Sequence, residues 1–204
     1  MHKLLTDFPI ACESYDHTNP KGTKQDNTKN GLYVRNLIRK LGPNMKYLDL
    51  GCAGGGFVSQ FIKNNIFAIG IDGSDYGFKN KTGEWNNIPH NLFTADITKP
   101  FKIVDDSEQI IKFDAISAFD VLEHIYEKDL HQLFINVNNH LNMNGHFIVG
   151  IATFPDENYH VTLKEETWWN DIFSKYGFIR SDIISEYGRY TSINATYTKV
   201  NEIQ

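Results

Sequence analysis

The chain has 204 residues, of which 41% are hydrophobic and 22% charged, with a formal net charge of −5. That length and balance describe one soluble globular unit burying about 70% of its unfolded surface, and they exclude a disordered chain. The acidic charge, with only Arg35, Arg39, Arg180 and Arg189 as guanidinium groups, argues against a nucleic-acid partner. Residues 1–30 are polar and turn-rich and read as an N-terminal flap. Leu32, Val34, Leu37, Ile38 and Leu41 then recur at helical spacing, and Gly42-Pro43 closes that helix. Flap and helix, residues 1–42, precede a single domain over residues 43–204.

Residues 47–50 form a short apolar strand that runs into Gly51-Cys52-Ala53-Gly54-Gly55-Gly56. Phe57, Val58, Phe61 and Ile62 continue at helical spacing, and residues 67–71 make a second buried strand ending at Asp72. This is a β-α-β unit, a parallel strand pair with a helical crossover. Residues 91–95 are a third strand, ending at Asp96, and 113–119 a fourth. A helix over 129–141, a strand over 145–151 and a helix over 164–176 follow. Trp168-Trp169 lie on the last of these, with one indole expected in the core. Residues 178–185 and 190–199 face each other as a terminal antiparallel hairpin. The fold class is therefore α/β: a doubly wound, mostly parallel seven-stranded sheet with a C-terminal antiparallel hairpin.

Cys12 and Cys52 are the only cysteines, too few for a disulfide framework or an all-cysteine zinc site, and a reduced, cytoplasmic setting is expected. No apolar run reaches the roughly 18–20 residues of a membrane span, and charge interrupts residues 1–7 too soon for a signal peptide. No membrane partner is expected; the oligomeric state is not written in the sequence.

In a doubly wound sheet the ligand sits beyond the carboxyl ends of the strands. Gly51, Ala53 and Gly56 taken as a degraded dinucleotide loop, with Asp72 about twenty residues beyond as a ribose-binding acid, fit a nicotinamide nucleotide as well as an adenosyl cofactor. Charge separates the two. Asp49, two residues before Gly51, would repel a pyrophosphate and attract a cation. Asp72 and Asp96 add acids at the ends of the second and third strands, and Asp120-Val121-Leu122-Glu123-His124-Ile125 follows the fourth. These acids suit a ligand bearing ammonium and sulfonium charge.

The ordered segments Asp49-Leu50-Gly51-Cys52-Ala53-Gly54-Gly55-Gly56-Phe57, Gly70-Ile71-Asp72-Gly73-Ser74, Ala95-Asp96-Ile97 and Phe113-Asp114-Ala115-Ile116 with Asp120–Ile125 resemble the motifs of class I S-adenosylmethionine-dependent methyltransferases. Ala53 stands where that family's middle glycine would be. The resemblance implies S-adenosyl-L-methionine as cofactor, with S-adenosyl-L-homocysteine as product. It implies that Gly51, Cys52, Ala53 and Gly55 pack against the cofactor through backbone and that Asp49 orients the loop and the amino-acid end. Asp72 would accept the ribose hydroxyls, with Gly73 and Ser74 beside the adenine. Asp96 and Ile97 would take the adenine amine and ring, and Phe119 would lie near the methionine ammonium.

The acceptor half is less legible, because an in-line methyl transfer needs mainly orientation and a dry site, and a base only when the acceptor loses a proton. His160, His124 and His17 are the candidate catalytic histidines, with Glu123 beside them. Asp120 and His124 supply half of a metal site with no second half in the sequence, so no metal is expected. A small-molecule acceptor, a sugar or metabolite methylated at oxygen or nitrogen, fits a chain with only short insertions. The rivals are an NAD(P)-dependent oxidoreductase on the same scaffold and a non-catalytic cofactor-binding subunit.

Overall fold

The structure, a computed structural model, describes residues 2–11, 26–156, 159–183 and 193–203. Its elements in chain order are β1 (His2–Leu5), α1 (Gly31–Leu41), β2 (Lys46–Leu50), α2 (Gly56–Lys63), β3 (Phe67–Asp72), α3 (Tyr76–Asn80), β4 (Leu92–Thr94) and β5 (Lys102–Asp105). They continue with β6 (Phe113–Phe119), α4 (Leu130–His140), β7 (Leu141–Ile151), α5 (Glu166–Lys175), β8 (Phe178–Ser181) and β9 (Ile193–Lys199). Seven strands form one sheet in the order β4-β3-β2-β6-β7-β9-β8. β4, β3, β2, β6 and β7 are mutually parallel, and β9 runs antiparallel between β7 and β8. The doubly wound sheet with its reversed C-terminal pair is thus the observed fold. The connection joining β8 to β9 lies largely outside the described residues, as does Cys12.

Alternate side chains of a strand point to opposite faces, and the central strands carry an apolar residue for each. Leu48, Ile69, Ile116 and Phe147 pack on one side with α4 and α5 through Leu133, Phe134, Val137, Trp169 and Phe173. Tyr47, Ala68, Ala115 and Ile148 pack on the other with α1 and α2 through Tyr33, Val34, Leu37, Val58 and Phe61. Of the tryptophan pair, Trp169 is fully buried and Trp168 packs partly buried against the same core. No helix among the described residues is long and apolar enough to cross a membrane.

Several boundaries differ from the sequence expectation. β7 begins at once where α4 ends, but its register slips: Phe113 pairs with Leu141 and Ala115 with His146. The expected strand over 145–151 is the regular part, and the extra residues form an irregularity at which Asn144 takes a positive φ of 63°. The buried Lys199 ammonium donates to the carbonyls of Asn138 and Leu141 at 2.8 and 3.0 Å, satisfying this junction. A second difference lies in residues 1–30, read from the sequence as a polar, turn-rich flap. Residues 2–5 are a strand, pairing antiparallel with residues 102–105 in a separate two-stranded sheet. Half of its side chains remain exposed, so it has no apolar period to announce it.

His140 closes α4 inside the core. Its Nδ1–H donates to Asn136 O at 2.8 Å, and Nε2 accepts from Ile103 N at 3.0 Å. Burial lowers its pKa from 6.5 to about 4. Between those values the unfolded chain takes up a proton that the fold refuses. Stability contributed here therefore falls as pH drops from about 6.5 towards 4, by on the order of 3 kcal/mol. Glutamine keeps a donor and an acceptor but cannot ionise. In thermal melts from pH 7 to 4, His140→Gln should show a flatter loss of Tm than the wild type.

Candidate functional site

β2 ends at Leu50, and residues 51–55 turn the chain into α2 at the carboxyl edge of the sheet. Gly51, Ala53 and Gly55 have positive φ of 73°, 44° and 81°. A Cβ on Gly51 would stand 2.3 Å from Val121 Cγ2, so the segment after β6 packs directly on this turn. A Cβ on Gly56 would stand 2.3 Å from Thr28 O, because residues 26–28 cross the start of α2. Ala53 departs from the family's glycine, and a left-handed conformation costs an L-residue roughly 1–2 kcal/mol. Two bonds hold it there: its N–H donates to Asp72 Oδ2 at 2.8 Å, and its carbonyl accepts from Trp85 Nε1 at 2.8 Å.

An open cleft lies against the turn, lined by Asp26, Thr28, Asp49, Gly51, Cys52, Ala53, Phe57 and Phe119. Five of the sequence-derived cofactor residues, Asp49, Gly51, Cys52, Ala53 and Phe119, thus share one space. Its floor is a buried relay. Ser117, opposite Asp49 in the register of β2 and β6, donates its single hydroxyl proton to Asp49 Oδ1 at 2.6 Å. The Tyr47 hydroxyl, 2.5 Å from Ser117 Oγ, is therefore the donor in that contact. Burial pushes the Asp49 carboxyl up to about 7, against the Ser117 hydrogen bond, with the charges of Asp72 and Asp26 adding to the rise. Burial likewise pushes the Cys52 thiol up, and its sulfur packs over Gly70, so it acts as a small filler.

Asp72, at the end of β3, is 8% exposed; besides holding Ala53 it accepts from Ser74 N at 2.9 Å. Gly73 O accepts from Ala11 N at 2.9 Å. Asp96 lies two residues past β4, and its Oδ1 accepts from both the amide and the hydroxyl of Thr98. The Asp96 N–H donates to Phe8 O at 2.9 Å. The N-terminal arm therefore crosses the ends of β3 and β4, bridging the two places assigned to the adenine. Ile97 is buried in the main core, its carbonyl held by Asn136 Nδ2. Gly55 caps α2 beside the cavity rather than lining it.

The structure brings His124 and His160 together, ring centroids 5.0 Å apart, although 36 residues separate them. His17 lies outside the described residues. Glu123, at 0% exposure, accepts from Ala152 N through Oε1 at 3.1 Å, and its carbonyl accepts from Val161 N and Thr162 N. Those contacts fasten the loop after β7 to the turn after β6. Burial raises the Glu123 carboxyl to about 8, opposed by its backbone hydrogen bonds.

Thr28, Trp85 and Glu84 escaped the sequence reading, as did the cavity-lining position of Phe57; Asp26 belongs to the flap that was expected over the cofactor. Glu84 is the fastener of the crossing segment. It pairs with Lys29 at 2.6 Å and accepts from Asn27, Ser59 and Asn87. The Lys29 contact draws its pKa down to about 2. The two glycines that escort Ala53, Gly54 and Gly56, were the available signal that another strand of chain passes close by.

A family model described as a methyltransferase domain matches residues 24–189. Among solved structures, a S-adenosylmethionine-dependent methyltransferase from Clostridium acetobutylicum is 15% identical at TM-score 0.62, covering 91% of this chain and 96% of its own. CalS10 from Micromonospora echinaspora, an amino pentose methyltransferase solved with its S-adenosylmethionine, is 13% identical at TM-score 0.61, with coverage of 83% and 90%. The 1,6-didemethyltoxoflavin-N1-methyltransferase of Burkholderia thailandensis is 15% identical at TM-score 0.60, with coverage of 92% and 84%. No curated protein matches the sequence.

The left-handed Ala53 gives a direct test of the turn. Ala53→Gly should stabilise the protein by up to about 1 kcal/mol in chemical denaturation, strain relief outweighing the added freedom of the unfolded chain. Ala53→Val should destabilise it, because a β-branched residue tolerates positive φ worse.

Proposed function

Since the chain belongs to the class I S-adenosylmethionine-dependent methyltransferases, we propose that it methylates a small molecule, a sugar or other metabolite, at oxygen or nitrogen. The observation that supports the cofactor half of this reading is the acidic cavity. Asp26 and Asp49 line it beside a glycine turn, a donor set that fits a ligand carrying ammonium and sulfonium charge and would repel a pyrophosphate. A nicotinamide nucleotide is disfavoured on that ground.

In this reading the backbone of Gly51, Cys52 and Ala53 and the ring of Phe119 contact the methionine end, with Asp49 as its counter-charge. Asp72 keeps spare acceptor capacity on both oxygens after holding Ala53 and Ser74, which suits ribose hydroxyls. Gly73, Ser74, Asp96 and Ile97 enclose the adenine under the N-terminal arm, and Gly55 fixes the entry into α2. When bound, the cofactor supplies an electrophilic methyl on sulfur. The chain's own work is to hold donor and acceptor in line and exclude water, worth up to roughly 7–11 kcal/mol. His124 and His160 form the polar wall where the acceptor would sit. Support for a small acceptor comes from the neighbours, which include an amino pentose and a toxoflavin-precursor methyltransferase. The acidic charge speaks against a nucleic acid.

Isothermal titration with S-adenosylhomocysteine, with NADH and NADPH as controls, tests the cofactor assignments. Only the homocysteine compound should bind. Asp72→Ala should weaken it about 10–100-fold, the loss of charge-assisted hydrogen bonds. Unchanged affinity in that variant would remove Asp72 from the site.

The raised pKa of Asp49 gives a second expectation. Below about 7 the carboxyl is neutral in the free protein, and a cation seated against it ionises it, releasing a proton. Affinity for S-adenosylhomocysteine should therefore rise as pH increases to about 7 and be level above it. Asp49→Asn should bind more weakly and lose that dependence.

A further inference from the structure

Glu123, His124 and His160 each present a ligand atom, and the three atoms lie within 4.8 Å of one another. Among the described residues this is the one such group of three. The histidines are already aimed. His124 Nδ1 contacts Tyr159 O at 3.0 Å, and His160 Nδ1 contacts Phe154 O at 2.7 Å. A carbonyl only accepts, so each Nδ1 carries a proton, and Nε2 is the nitrogen through which either ring would ligate a metal. Anchoring one ring nitrogen on a carbonyl is how proteins orient a metal-ligating imidazole. Glu123 supplies the independent observation: its Oε2 is fully buried and has no hydrogen-bond partner, while Oε1 is held by Ala152 N. An orphaned carboxylate oxygen inside a folded protein requires an explanation, and a cation provides one.

We propose that Glu123, His124 and His160 bind a divalent first-row metal ion, of the Zn²⁺ or Mn²⁺ kind, at the acceptor side of the site. Two imidazole nitrogens and one carboxylate oxygen are a donor set for such ions rather than for Mg²⁺ or Ca²⁺, which prefer oxygen alone. Ligands about 2.1 Å from a shared ion stand roughly 3–3.5 Å apart, so binding asks the three side chains to close by under about 2 Å. The scaffold is firm enough to present them. Val161 N and Thr162 N are bonded to Glu123 O, and the Thr162 hydroxyl donates to Ile125 O at 2.6 Å. Val121, two residues before Glu123, packs on Gly51, which places the ion beside the cofactor cavity.

Three protein ligands leave coordination positions open. Resting on the small-acceptor reading, this narrows the acceptor to molecules that offer the ion an oxygen pair, such as vicinal hydroxyls or a hydroxyl beside a carboxylate. The sequence offered Asp120 and His124 as half a metal site and no metal was expected; His160, 36 positions after His124, has no local spacing that would join it to the set.

The test uses tag-free, metal-stripped protein titrated with Zn²⁺ against a chromophoric chelator, and with Co²⁺ by visible absorption. One ion per chain should bind at micromolar concentration or below. Glu123→Gln, which keeps an acceptor for Ala152 N, and His160→Ala should each weaken binding about 100-fold or more. His131→Ala, at a histidine elsewhere on the surface, should bind as the wild type does. Glycolate, a hydroxy-carboxylate probe, should shift the Co²⁺ bands. Absence of 1:1 binding, or equal binding by both site variants, overturns the site; unshifted bands overturn the oxygen-pair acceptor. S-adenosylhomocysteine titrations on the same samples keep the readings apart, since that compound should bind whether or not the metal does.

Discussion

The bond from Ala53 N to Asp72 Oδ2 is the constraint on which the site rests. It ties the turn after β2 to the end of β3, the neighbouring strand, and so couples loop shape to sheet register. Without it the left-handed Ala53 would have nothing on its amide side, and the turn would lose its reason to stay tight. With it, Asp72 fixes the backbone that lines the cavity and, in the proposed reading, keeps acceptor capacity for a ribose. Trp85 completes the arrangement from the other face, its indole N–H holding the Ala53 carbonyl. One residue that departs from the family pattern is thereby gripped on both sides of its peptide.

Around that turn two buried carboxylates, Asp49 and Glu123, have no cationic partner among the described residues. Asp49 is buried on hydroxyl hydrogen bonds alone, and Glu123 on backbone amides. Among the described residues, lysine meets nearby acids at Glu84, where Lys29 lies 2.6 Å away, and at Asp75, where Lys79 lies 2.5 Å away, both outside the cavity lining. Buried carboxylates lacking counter-ions are unfavourable in their charged form. Such a surface gains most from a ligand that brings its own positive charge, which is the electrostatic logic of both a sulfonium cofactor and a bound divalent ion. The two lie on adjacent stretches of chain, one served by β2 and β3 and the other by the segments after β6 and β7.

Legibility in the sequence followed the physics of each part. The parallel sheet was readable because β2, β3, β6 and β7 are continuous apolar runs buried on both faces, and the glycine turn because it must follow the first of them. Asp49, Gly51 and Ala53 could be placed by their offsets from the end of the first strand, whereas Cys52 and Phe119 came from the family resemblance of the motifs around them. Thr28 could not be placed, since it reaches the cavity from a polar segment whose position depends on Glu84 and Lys29. The pairing of His124 with His160 was equally hidden, set by backbone bonds from Val161 and Thr162 to Glu123 rather than by any local period. β1 escaped because an exposed two-stranded pair alternates too weakly to stand out.

That first strand also sets an order of events during synthesis. β1 is made about a hundred residues before β5, its pairing partner among the described residues, at elongation rates of roughly 5–20 residues per second. For several seconds the arm has nothing to dock on, while β2, α2, β3 and β4 emerge and can close their own parallel contacts. β1 thus waits for β5, and the arm that lies over Gly73 and Asp96 closes on β3 and β4 once they have emerged. It can do so before β6, β7 and β9 add to the sheet.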